Sequence, residues 1–82
     1  MLTAIHTHYE TPIQMPRMLE LEVFELRDEF PDVEKSKKYA NFRDEYSIWS
    51  DAELISRLRI LCMNARDDRH EVLAVYDEFE AR

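Results

Sequence analysis

Apolar residues in the segment MLELEVFELRDEF, residues 18–30, follow two competing spacings. At the start of the segment they alternate with glutamates, as in a half-exposed strand. A second set falls at helical spacing: Leu19, Val23, Leu26 and Phe30. Phe24 breaks the alternation, and Pro16 and Pro31 stand where a helix can begin and must end, so the helix is favoured. The pattern predicts a helix over residues 16–30.

This helix has apolar residues on two faces. At about 100° per residue, Met18, Leu21 and Phe24 lie on the side opposite the Leu19–Phe30 seam, among acidic residues. A helix with two apolar faces needs two partners. We therefore expect the seam to face the core and the other face to contact a second subunit or a target protein.

Residues 32–48 have aromatic residues at helical spacing, namely Tyr39, Phe42 and Tyr46. The spacing predicts a possible amphipathic helix that Asp32 opens, and Trp49 then follows in a connector. Ser50 and Glu53 have the S-x-x-E spacing of a capping box, in which each side chain bonds the other residue's backbone N–H. The capping box predicts a helix that begins at residue 51.

A heptad seam runs through the last part of the chain: Leu54, Leu58, Leu61, Ala65, Asp68, Val72, Val75 and Phe79. One helix of about 30 residues satisfies it. So does a hairpin of two helices, 51–66 and 68–81, that turns within the polar segment NARDDRHE, with Asp67 or Asp68 as the second N-cap. An unpaired aspartate in the seam would destabilise one continuous helical coil, and a short chain gains more stability by folding back on itself. The hairpin is therefore favoured.

These segments predict one all-α domain over residues 1–82, a small bundle of three to four short helices with a C-terminal helical hairpin. Residues 1–15 are expected to form an extended or mobile arm. The absence of glycine from the whole sequence argues against hairpin-rich β structure, which needs positive φ at its turns. Because 45% of the 82 residues are hydrophobic, one small core leaves an apolar excess, and we expect a homodimer.

The formal net charge of −7 repels phosphate backbones, so direct binding of nucleic acid is disfavoured and basic or mixed protein surfaces are favoured as partners. Cys62 is the one cysteine, which excludes an internal disulfide and fits a reducing compartment, where it would serve as apolar filler. No stretch approaches the roughly 20 apolar residues of a membrane span, and no signal peptide is evident. We expect a cytoplasmic protein that does not bind membranes.

No motif predicts catalysis, a metal or a cofactor. His6 and His8 have spacing that a zinc ion can use, but no cysteine or second histidine pair completes the set. His70, in the polar segment, is expected to be solvated. No glycine-rich phosphate loop exists, and acids that recur on solvent faces of helices mostly confer solubility. We therefore expect no enzymatic activity.

The sequence predicts a small acidic protein-interaction module that binds a target protein and inhibits or recruits it. This composition is common among phage-encoded inhibitors of host machinery and among antitoxins and adaptors, an analogy of composition only. The alternatives are a DNA-associated or antitoxin-like regulator that uses the 51–82 helix pair, and an acidic DNA mimic. The predicted contact residues are the apolar and aromatic ones left over from the seams: Met18, Leu21, Phe24, Tyr39, Phe42, Tyr46 and Trp49.

Overall fold

The computed structural model describes residues 13–64 and 68–82, in which four α-helices form a bundle and no strand occurs. The helices are α1 (Arg17–Glu29), α2 (Lys37–Tyr46), α3 (Asp51–Met63) and α4 (Arg69–Glu80), with one 3-10 turn, Val33–Lys35, before α2. The all-α prediction and the helical hairpin are confirmed. The predicted arm lies outside the described residues except for 13–15, which are not helical.

Two predicted helix starts are confirmed. Pro16 is the N-cap of α1, where its missing N–H costs nothing. At α3, the Ser50 hydroxyl accepts from the backbone N–H of Glu53 at 3.2 Å, and the Glu53 carboxylate accepts from the Ser50 N–H at 2.9 Å. The capping box therefore satisfies two backbone donors that the helix itself leaves unpaired.

Asp68 caps α4, as one of the two predicted aspartates. Its carboxylate accepts from the backbone N–H of His70 at 2.9 Å and lies 2.7 Å from Nδ1 of the same residue. Burial raises the pKa of Asp68, but hydrogen bonds with Lys38 and His70 outweigh it and lower the pKa to about 2. The expectation of a solvated His70 is wrong, because its side chain is only 21% exposed and hydrogen-bonded to the cap.

The predicted 32–48 helix begins later than expected. The Asp32 side chain makes no capping hydrogen bond, and only the short 3-10 turn follows it. The Ser36 hydroxyl accepts from the backbone N–H of Tyr39 at 3.0 Å, so Ser36 is the N-cap of α2. The cap that makes a bond sets the boundary, since an unbonded aspartate leaves the first N–H groups without a partner.

Helix α4 is the centre of the bundle, and α1, α2 and α3 pack around it. Five consecutive residues, Val72 to Tyr76, are buried, which requires neighbours on every side of the helix. The predicted seam was therefore too narrow for α4, because Leu73 and Ala74 are fully buried beside it while Phe79 is only partly buried.

The ends of α3 and α4 meet as in an antiparallel hairpin. Arg82, just after α4, lies 3.4 Å from the Asp51 carboxylate at the start of α3 and donates to the Ser47 carbonyl at 3.1 Å. One continuous helix from 51 to 80 would hold these ends about 45 Å apart. None of the described residues has positive φ, so the connectors between α1, α2 and α3 need no glycine. No helix within 13–64 or 68–82 has the length and apolarity to cross a bilayer.

Candidate protein-interaction surface

The structure divides the seven predicted contact residues into an exposed group and a packed group. Met18, Leu21 and Phe24 are 77%, 47% and 43% exposed. Tyr39 and Tyr46 belong to the core, and Phe42 and Trp49 are partly buried against it. The seven residues therefore do not form one surface.

The exposed group lies on the side of α1 away from its core seam. Leu19 and Val23 are buried on the opposite side, as the helical spacing predicted. At about 100° per residue the three exposed side chains span about 120° of the helix, with Leu21 in the middle. Phe24 meets the Tyr76 ring edge to face, with centroids 6.1 Å apart, so it is attached to the bundle. We call Met18, Leu21 and Phe24 the outer face of α1.

Tyr39 joins a polar network between α2 and α4. Its hydroxyl donates to Asp77 at 2.5 Å and accepts from Arg43 at 2.9 Å. Asp77 also accepts from Arg27 of α1 at 2.5 Å, and Arg43 donates to Glu78 at 2.7 Å. The network satisfies the polar end of a buried ring and links three helices, so Tyr39 serves the fold rather than a partner.

Tyr46, at the C-terminal end of α2, makes a similar connection. It is 2% exposed, and its hydroxyl donates to the carboxylate of Glu71 on α4. Arg57 of α3 donates to the Tyr46 hydroxyl at 3.2 Å and to Glu71 at 3.0 Å. The assignment of Tyr39 and Tyr46 to a contact surface is corrected accordingly, because a buried ring with a satisfied hydroxyl offers a partner nothing.

Phe42 and Trp49 extend this aromatic cluster toward the surface. Phe42 stacks on Tyr46 with centroids 6.4 Å apart, and Trp49 meets the same ring edge to face at 4.7 Å. Trp49 also lines a shallow depression beside Ile60, which is 55% exposed. These two rings are partly accessible, but they lie on α2 and its connector and not beside the outer face of α1.

A groove between α1 and α3 was not predicted from the sequence. Its apolar end, about 440 Å³, is lined by Pro16, Met18, Leu19, Cys62 and Met63, with Arg17, Glu22 and Arg59 at its edges. Met63 is 86% exposed although it ends α3 beside the buried Leu61. The sequence contained one indication of it. Met63 is apolar but does not belong to the heptad seam, so the seam alone does not remove it from water.

The groove continues into an acidic part of about 750 Å³. The two parts share Glu22 and Cys62, so they adjoin. Leu26, Leu61 and Val72 contribute apolar lining to the acidic part, and Asn64 lies at its edge. Four carboxylates of α1 line it: Glu22, Glu25, Asp28 and Glu29. We call the whole feature the α1–α3 groove.

Cys62 lies where the two parts of this groove meet. Burial raises the pKa of its thiol to about 12, and the hydrogen bond to Glu22 acts in the same direction. The thiolate is the nucleophilic form of cysteine, so the raised pKa disfavours a nucleophilic role for this side chain near neutral pH. Its partial burial against the core agrees with the expected role of apolar filler.

Within residues 13–64 and 68–82, no three His, Cys, Asp or Glu side chains are grouped as a metal site requires. His6 and His8 lie outside the described residues. No protein-family model, curated protein or solved structure matches this chain. Function is therefore inferred from the arrangement of the chain's own side chains.

Proposed function

We propose that this chain is a protein-interaction module that binds another protein through the outer face of α1 and thereby inhibits or recruits it. The observation that carries the proposal is that Met18, Leu21 and Phe24 are exposed on one side of a helix whose opposite side is already in the core. Helix α1 therefore already contributes its buried side to the core without the outer face. A binding partner would remove this second apolar surface from water.

The surroundings of the outer face support this use. Apolar side chains ringed by charges are typical of interfaces, in which the centre excludes water and the rim selects the partner. Leu21 occupies the centre, and Glu25 and Asp28 follow it on the exposed side of α1. Methionine at position 18 adds a side chain that adapts to irregular partner surfaces.

The alternative of a DNA-associated or antitoxin-like regulator fits the packing less well. It needs one helix of the α3–α4 pair to enter a DNA groove, whereas α4 is buried from Val72 to Tyr76. An acidic DNA mimic needs a surface of regularly placed charge, and the apolar outer face of α1 weighs against that role. Neither alternative is favoured by a particular feature of the described residues.

A homodimer is a second use of the same face, and the apolar excess of the sequence led us to expect one. Two copies that meet through α1 would cover Leu21 and Phe24 reciprocally. Light scattering at micromolar concentration is expected to report a dimer. A monomer at that concentration would leave the outer face free for a different protein.

The proposal is tested by affinity capture from a lysate of the producing cell, with the wild-type chain, Leu21→Glu and Ile48→Glu as baits. Leu21 is 47% exposed and Ile48 is 88% exposed, so both variants should keep wild-type circular dichroism. We expect a protein that wild type and Ile48→Glu retain and Leu21→Glu loses, since a charge cannot enter an apolar contact unpaired. Retention of the same proteins by all three baits would refute the proposal, and an unfolded Leu21→Glu would overturn the outer face itself.

A further inference from the structure

We propose that the α1–α3 groove receives a basic amphipathic helix of the partner protein. The inference rests on the proposed function, since it names the chemistry of the segment that the module binds. It adds Met63, Glu22 and Glu29 to the surface, and it would give Glu25 and Asp28, which border the outer face of α1, cations to pair with. The apolar stripe of the partner helix would lie between Met18 and Met63, and its Lys or Arg side chains would reach the acidic part.

The apolar end of the groove has the shape for such a stripe. Met18 and Met63 face it from different helices and are 77% and 86% exposed, while Leu19 is buried beneath them. From residue 18 to residue 29 the groove follows α1 for about 17 Å, the length of about three helical turns. A helix of that length presents apolar residues at i, i+3, i+4 and i+7, the usual pattern of helix-in-groove recognition.

The acidic part of the groove selects the sign of the partner, since no Lys or Arg lines it and the two arginines of the groove, Arg17 and Arg59, lie at the edges of the apolar end. Within the described part of the chain, Glu22, Glu25, Asp28 and Glu29 form no ion pair with any Lys or Arg. The acids of the α2–α4 interface behave differently, because Glu71, Asp77 and Glu78 are each paired with an arginine. The fold thus pairs these partly buried acids of α4 and leaves four carboxylates along one groove for an incoming cation.

A second copy of the chain is a poorer occupant of this groove. The chain has a formal net charge of −7, so a second copy inserted into the acidic part of the groove would bring further acidic side chains to the carboxylates there. Like charges at close range oppose association. A phosphate backbone is repelled for the same reason. A basic helix would instead pair with the carboxylates of the acidic part.

The test uses the full-length chain and three fluorescent peptides of about 14 residues. The first is a Leu/Lys peptide with leucines at helical i, i+3, i+4 and i+7 spacing. The second replaces every lysine by glutamate, and the third has the composition of the first without the stripe. Fluorescence anisotropy is measured at low and at raised salt. We expect the striped basic peptide to bind at least tenfold more tightly than either of the others, with affinity that falls as salt rises.

Matched variants locate the binding. Glu25→Lys/Glu29→Lys and Met63→Glu should each weaken the striped basic peptide about tenfold, because one reverses the charge of the groove and the other puts a charge between its methionines. The controls are Asp44→Lys/Glu45→Lys, which makes the same change of charge on exposed positions of α2, and Ile48→Glu. Both controls should stay within about twofold of wild type. All four variants change exposed residues and should keep wild-type melting temperatures.

The inference is overturned if the acidic peptide binds as well as the basic one, if no peptide binds, or if control and groove variants weaken binding equally. It is also overturned if the groove variants change the molecular mass in light scattering, since a second copy would then be the occupant. Capture of a cellular protein that depends on Leu21 but not on Glu25, Glu29 or Met63 would leave the proposed function standing and refute the groove as its site.

Discussion

Replacing Tyr46 by Phe removes one hydroxyl from the centre of the α2–α3–α4 junction and keeps the ring. The lost bond is the one that the hydroxyl donates to the Glu71 carboxylate, and Arg57 loses one of its two acceptors. A hydrogen bond to a charged group contributes about 1.5 to 3 kcal/mol to stability. Since Arg57 still holds Glu71 at 3.0 Å, the carboxylate is not left unpaired, and we expect a loss of about 2 kcal/mol.

Urea denaturation followed by circular dichroism at neutral pH measures this loss, with Tyr76→Phe as the control. The Tyr76 hydroxyl lies 3.5 Å from Glu20, too far for a strong bond, although its ring is buried like that of Tyr46. Tyr76→Phe should therefore cost less than about 0.5 kcal/mol. In thermal melts, 2 kcal/mol corresponds to roughly 8 to 16 °C for a domain of this size. Equal losses for the two variants would refute the structural role of the Tyr46 network.

The same variant has a signature at alkaline pH. Burial raises the pKa of Tyr46 to about 12, the hydrogen bond to Glu71 acts in the same direction, and Arg57 opposes them. A raised pKa in the folded state gives stability that is complete below the ordinary value of 10.0 and is lost as pH rises toward 12. The wild type should lose stability across this range, and Tyr46→Phe should lose less. Identical pH profiles would contradict the assigned environment.

Three further predictions test other parts of the fold. Leu21→Glu should leave the free energy of unfolding within about 0.5 kcal/mol of wild type, whereas Phe24→Glu should cost about 1 kcal/mol because its aromatic contact is lost; urea denaturation compares them. Leu58→Ala should cost about 2 to 5 kcal/mol in the same assay, since Leu58 is fully buried, and a loss near zero would mean that the α3 seam is wrongly assigned. Asp68→Asn keeps a capping oxygen but not the charge. Because the Asp68 pKa is lowered to about 2, wild type should lose stability as pH falls from about 3.8 toward 2, and the variant should lose less over that range.

The helix starts were predictable because they depend on neighbouring residues. The capping box joins Ser50 to Glu53, three positions later, and the Asp68 side chain bonds the backbone of His70, two positions later. The start of α2 was predicted wrongly because both Asp32 and Ser36 are common N-caps. The turn after Pro31 decides between them. Asp32 is followed by a 3-10 turn and makes no capping hydrogen bond, whereas Ser36 directly precedes α2 and makes one.

The tyrosines were misassigned because their partners are distant in sequence. Tyr39 bonds Asp77, 38 positions away, and Tyr46 bonds Glu71, 25 positions away. Spacing within α2 shows only that these rings share a side, not that carboxylates of another helix meet their hydroxyls. An aromatic excess counted from the sequence therefore overstates the surface when partly buried acids of another helix accept hydrogen bonds from tyrosine hydroxyls.

The α1–α3 groove could not be predicted because it depends on how two helices lie side by side. The spacing within α1 correctly placed Met18 outside the core seam, but its neighbour Met63 is 45 positions away. The carboxylates of α1 looked like an ordinary solvent face, which is the commonest reading of acids on a helix. Only the approach of α3 turns one side of that face into a groove.

The central position of α4 has a consequence for how the chain is synthesised. Translation produces α1, α2 and α3 before α4, yet all three pack on α4. A nascent chain that ends before α4 thus has three helices with apolar sides and no core to bury them. We expect folding to wait until α4 has emerged from the ribosome, with the earlier helices exposed to chaperones and to aggregation in the interval. A premature stop codon before α4 would therefore abolish the whole domain rather than shorten it.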